Sequence, residues 1–154
     1  MKHHSSLGIT KGNNHKIYTI AIIGFVYTIS LVMPMYSNSS FLSLFANQNT
    51  VGIIYMIGAA VTSLAFLFIP SFLRIMGNYT LAMWAVVLDI CFLYGLTHSS
   101  DPIMLTTLFV LHTAVISMIG ISLDVFLEVY SEHGSEGKIR GMYLTTINTA
   151  WIIA

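Results

Sequence analysis

Residues 51–96 read VGIIYMIGAAVTSLAFLFIPSFLRIMGNYTLAMWAVVLDICFLYGL. Two apolar runs stand back to back, separated once, at 70–78, by PSFLRIMGN with its single charge, Arg74. The runs 51–73 and 81–96 hold no Lys or Arg and one acid, Asp89. Each approaches the roughly 20 residues that a helix needs to cross about 30 Å of hydrocarbon. A water-soluble core helix of that length would show a polar face. The stretch is therefore expected to form a helical hairpin that crosses a bilayer twice.

The rest of the chain repeats the theme. Of the 154 residues, 56% are hydrophobic and 8% charged, against about 25% charged in soluble domains, and the mean hydropathy is +0.81. The fold class implied is an all-α membrane protein, a polytopic transmembrane helix bundle. Six basic and six acidic residues cancel, so their placement is informative and their sum is not. The expected partner is the lipid bilayer, and nucleic acid is not one. Cys91, the single cysteine, falls inside a span, where it cannot form an intrachain disulfide and is expected to sit as a small buried hydrophobe.

Five apolar segments can be counted: 17–35, 51–73, 79–97, 103–123, and a fifth beginning near Met142 and ending at Ala154. About 13 residues of helix rise only about 20 Å, so the fifth is either re-entrant or the start of a span in a longer protein. The second is the favoured expectation: four full spans plus the start of a fifth, with the C-terminal portion of the same chain missing. Residues 1–16 carry Lys2, Lys11, Lys16, His3, His4 and His15 ahead of the first run. They resemble a signal n-region, but the run that follows exceeds the roughly 7–15 residues of a cleavable signal, and Pro34-Met35-Tyr36 stands where small residues would be needed. Residues 1–16 are thus read as a tail and 17–154 as membrane helices. His3 and His4 lack further ligands, so no metal is expected there.

All six basic residues fall on one side when the spans alternate: Lys2, Lys11 and Lys16 before the first, Arg74 between the second and third, Lys138 and Arg140 before the fifth. The opposite loops, 36–50 and 98–102, have none. The positive-inside rule then places the N-terminus in the cytoplasm of a multi-pass protein in the plasma membrane. Tyr18, Tyr36, Tyr79, Tyr130 and Tyr143 lie near span ends, whereas Tyr27 and Tyr55 do not.

Small residues mark helix faces. Thr106, Thr113, Ser117, Gly120 and Asp124 recur along one face of the fourth segment, with similar seams at Gly52, Ala59 and Ser63 and at Gly24 and Thr28. Helix packing is the first expectation for them, and an aqueous pathway the second.

Two ionisable side chains lie deep. Asp89 sits about 12 Å below Thr97 and His112 about 13.5 Å below Ile103 at about 1.5 Å per residue, so adjacent antiparallel helices would hold them at matching depth. A carboxylate at that depth costs about 2.5–3.5 kcal/mol on insertion scales. A polar pair able to trade a proton is expected; the alternative is a protonated Asp89 bonded to a nearby Thr or Ser and a neutral His112. Nearer the basic side, Asp124, Glu128 and Glu132 recur every four residues, and Asp124 or Glu128 is expected to pair with Arg74, a solvated acidic face being the alternative. No phosphate loop, metal cluster or nucleophile set is visible, so neither enzyme activity nor a cofactor is expected. Asn38-Ser39-Ser40 fits a glycosylation sequon.

Three passages go together: the Ser30…Pro34-Met35-Tyr36-Ser37-Asn38 ending of the first span, the short Arg74-Ile75-Met76-Gly77-Asn78 turn, and Asp124…Glu128…Ser131…Arg140-Gly141 leading into the fifth. In these the chain resembles the amino-terminal part of a major facilitator superfamily transporter. That family's Gly-x-x-x-Asp-Arg-x-Gly-Arg signature is degenerate: with Gly77 as its last glycine, Pro70, Arg74 and Asn78 replace the first glycine, the aspartate and the final arginine, and Ile116 stands nearest the arginine usual in the fourth span. The resemblance implies two six-helix halves, alternating access and a midplane cavity lined by the first and fourth helices. Tyr27, Ser30, His112 and Asn148 would then be pathway residues, Asp89 and His112 the proton-coupling candidates, and Arg74, Gly77, Asp124, Glu128 and Arg140 the cytoplasmic gate. The third helix, which carries Asp89, would be peripheral. The function expected is secondary-active transport of a small solute by alternating access, with protons as the candidate coupling ion; the alternative is a non-transporting assembly or anchoring subunit.

Overall fold

A computed structural model describes the backbone of residues 11–131 and 136–154 and the side chains of 15–131 and 137–154. Lys2, His3, His4 and Glu132, and the side chain of Lys11, lie outside the described residues. Among the described residues there are four helices: α1 (Lys11–Ser43), α2 (Gln48–His98), α3 (Pro102–Tyr130) and α4 (Glu136–Ile153). Among the described residues there is no strand. Three of the four, α1, α2 and α3, are long and apolar enough to cross a membrane.

Local chemistry sets the helix ends. Asn47 caps α2, its side chain accepting from the Thr50 N–H at 2.9 Å, and Asp101 caps α3 by accepting from Met104 at 3.0 Å. Pro102 opens α3, where its missing N–H costs nothing. Only residues 44–47 separate α1 from α2, so the expected loop 36–50 is mostly helix; α1 runs on through Pro34 to Ser43. Asn38 is therefore in a helix. The helix that carries the fifth apolar segment begins ahead of it, with helical backbone from Glu136.

The 51 residues of α2 would rise about 76 Å as a single rod. They do not form one. At Gly77 the backbone takes φ 75° and ψ 161°, a conformation that only glycine adopts without strain. Val51 and Ile54 from the start of α2 share a buried cluster with Leu96 from its end and with Leu105, Phe109 and Val110 of α3, so the chain doubles back at Gly77. The expected break at 70–78 contracts to this residue, because Pro70 is tolerated within the helix. A second cluster joins Ile17, Ile20 and Ala21 of α1 to Ala85 of α2, Val115, Ile119 and Leu127 of α3, and Tyr143 of α4. α3 is the common member, packed chiefly on α2, while α1 packs chiefly on α4.

The described basic side chains gather at one end. Lys16 Nζ lies 4.6 Å from the centre of the Tyr130 ring, joining the start of α1 to the end of α3. Beside the Gly77 reversal, Asn78 donates from Nδ2 to the Ser122 carbonyl at 2.9 Å. Arg74 precedes that reversal, and Lys138 and Arg140 open α4. Outside the two clusters the helices present large apolar side chains, among them Ile22, Leu67, Ile75 and Ile90, all more than half exposed. Such a surface suits hydrocarbon and not water. Cys91, expected to be buried, is on this exposed surface.

Candidate functional site

A cavity of about 550 Å³ opens between α1, both arms of α2, and α3, within the usual size of small-molecule sites. Its wall is built by helical periodicity. From α1 come Tyr27, Ser30, Pro34 and Asn38; from the first arm of α2, Tyr55, Gly58, Thr62 and Ser63; from the second arm, Asp89 and Leu93; from α3, Phe109, His112, Thr113 and Ser117. The sets step by three or four residues, with the neighbours Thr62 and Ser63 and His112 and Thr113 both included, which keeps each on one face. Close approach at the back of the cavity depends on Gly58, where an added Cβ would lie 3.2 Å from Thr113 Oγ1.

The polar atoms in this wall are arranged unevenly. Asp89 Oδ1 and His112 Nδ1 are 2.8 Å apart, with His112 only 5% exposed. The contact is a close pairing without hydrogen-bond alignment, so neither atom has a well-directed partner. Tyr27 donates its hydroxyl to the Ile116 carbonyl at 3.0 Å and ties α1 to α3. Ser30, at 2.7 Å, and Ser63, at 2.9 Å, donate to carbonyls one turn back in their own helices. Pro34 has no N–H, so the Ser30 carbonyl lacks its usual helical donor.

Tyr27, Ser30, His112 and Asp89 are therefore gathered in one place. Asn148 is not among them: it is exposed on α4. The expectation that the third apolar segment would be peripheral is overturned, because the reversal at Gly77 brings its Asp89 and Leu93 against α3 at the cavity wall. The small-residue stripe of α3 also differs from the packing seam first expected. Thr113 and Ser117 line the cavity, an added Cβ at Gly120 would meet nothing within 4 Å, and Asp124 borders a second cleft.

That second cleft, about 240 Å³, is formed by Asp124, Leu127, Glu128, Ser131 and Arg140 at the basic end. Asp124, Glu128 and Arg140 thus share it, but Arg74 does not, and the pairing of Arg74 with Asp124 or Glu128 is absent: among the described residues the one ion pair is Asp89–His112. The reason is local. Asn78, just past the reversal, takes the contact with α3, leaving Arg74 exposed, where a long side chain keeps its charge in water.

Sequence reasoning missed Asn38, Tyr55 and Thr62 as wall residues. Tyr55 did carry a signal, a tyrosine away from either span end, and its ring meets Phe109 edge-on at 5.4 Å. No group of three metal-ligating side chains occurs among the described residues. No protein-family model matches the chain, and neither a curated protein nor a solved structure matches it.

Proposed function

We propose that the protein moves a small solute across the plasma membrane by alternating access, as a secondary-active transporter coupled to protons. In this reading the arms 48–76 and 78–98 of α2 are separate spans, so α1, the two arms and α3 make four crossings and α4 begins a fifth. The basic end faces the cytoplasm, since Lys16, Arg74, Lys138 and Arg140 collect there. In this reading the arrangement is that of the amino-terminal part of a major facilitator superfamily transporter.

One observation carries the reading: a carboxylate and an imidazole 2.8 Å apart in the wall of a cavity inside an otherwise apolar bundle. Ionisable groups at membrane depth are costly and mark solute or proton pathways. The couple takes up a proton from water on one side and releases it to water on the other, while the solute occupies the cavity. Further along α3 from the cavity, the cleft at Asp124, Glu128 and Arg140 acts with the Gly77 reversal as the cytoplasmic gate.

The test is uptake of labelled amines, sugars, amino acids and organic acids by cells that overproduce the protein, with and without a protonophore. At least one class should accumulate, lose accumulation with the protonophore, and fail in Asp89→Asn and His112→Gln at equal membrane abundance. Uptake of every class at the level of cells lacking the protein would overturn the proposal.

A further inference from the structure

Resting on the transport reading, we infer that the cavity selects a small organic cation: a protonated amine on an apolar or aromatic body, held by the Asp89 carboxylate. Asp89 and His112 are the only ionisable groups in the wall apart from the two tyrosines. No Lys or Arg lines it, and the described basic side chains sit at the end of the bundle. A cationic solute would meet a carboxylate there, whereas an anion would meet that carboxylate with no guanidinium or ammonium to offset it.

The hydroxyls reinforce this selection. Tyr27, Ser30, Ser63, Thr113 and Ser117 each spend their one hydrogen on a backbone carbonyl. A hydroxyl with its hydrogen committed offers the cavity only oxygen lone pairs, so these five present acceptors. An ammonium is donor-rich and complements such a wall; a carboxylate or phosphate would find hydroxyl and amide hydrogens only at Asn38, Tyr55 and Thr62 and would sit against the Asp89 carboxylate. The Asp89–His112 contact fits as well. His112 is nearly buried and its Nδ1 is poorly directed towards Asp89, so an entering N–H donor can take the carboxylate oxygen with better alignment than the imidazole has. Tyr55, Leu93 and Phe109 supply the surface for the apolar body.

The experiment is equilibrium binding to the purified full chain in detergent at pH 7, with three probes of one shape: 2-phenylethylammonium, 2-phenylethanol and 3-phenylpropanoate. The ammonium should bind saturably, the alcohol at least tenfold more weakly, and the carboxylate not at all. Asp89→Asn should weaken the ammonium tenfold or more without weakening the alcohol. If Asp89→Asn fails to fold, the ranking of the three probes on the unaltered protein decides alone. Alcohol or carboxylate binding as tightly as the ammonium, or Asp89→Asn leaving the ammonium unchanged, overturns the charge selection while the cavity remains a solute site. No saturable binding of any probe overturns the cation selection, and the uptake experiment decides the transport reading separately.

Discussion

A single methyl group added at Gly24 and at Gly120 should have opposite effects, and the structure supplies the sizes. At Gly24 the new Cβ would lie 2.8 Å from Tyr143 Cε2 and 3.2 Å from its hydroxyl oxygen. Carbon atoms rest at about 3.5–4.0 Å, so α1 and α4 must separate by about 1 Å or the ring must turn. Turning is obstructed, because Tyr143 is 2% exposed and seated among Ile17, Ile20 and Ala21. Overpacking of this kind costs about 1–3 kcal/mol, offset by about 1 kcal/mol from replacing glycine with alanine in a helix. At Gly120 nothing lies within 4 Å of the added atom, so only the helix gain remains, about 0.5–1 kcal/mol. Gly24→Ala should therefore be less stable than Gly120→Ala by about 1–3 kcal/mol. Reversible unfolding in mixed detergent micelles, followed by circular dichroism, measures both. Tyr143→Leu in the Gly24→Ala background should cost less than the sum of the two single changes, since it removes the atoms that collide. Equal stability of the two alanine variants, or a reversed order, would refute the close packing of α1 on α4.

Three further outcomes follow from the same geometry. Gly77→Ala should lower stability by about 1–3 kcal/mol from backbone strain alone, since its Cβ would meet no neighbour within 4 Å; unfolding in the same micelles that shows no loss would mean the reversal does not need this conformation. Removing either partner of the Asp89–His112 pair by substitution with Leu should cost about 3–5 kcal/mol by stranding the other, whereas the double substitution should cost clearly less than the sum, as a double-mutant cycle would read. Gly120→Phe should change stability by less than about 1 kcal/mol, because an added Cβ there meets nothing within 4 Å, and should abolish uptake of whichever solute is found, because Gly120 shares a face of α3 with Ser117 of the cavity and Asp124 of the cleft; uptake at the unaltered rate would show that the solute passes elsewhere.

What could be read from the chain, and what could not, divides along physical lines. The apolar helices were legible because lipid imposes a length and a composition on each segment independently of its neighbours. The meeting of Asp89 with His112 was legible too, since depth along a helix is a matter of counting and both residues are counted from the same short linker, 99–101. Rotation about the helix axis was not. Whether Arg74 or Asn78 would face α3 depends on the backbone at Gly77, where one residue at φ 75° resets the direction of every side chain after it. The same reset turned the third apolar segment inwards and made Asp89 a wall residue, and no periodicity that treats the segments as separate rods can carry angular information across such a break. Asn148 met a related difficulty: α4 touches little besides α1, so nothing in its own spacing decides which of its faces meets the cavity. Depth in a membrane is set by each helix for itself, but facing is set by pairs, and the pairing here runs through a single glycine.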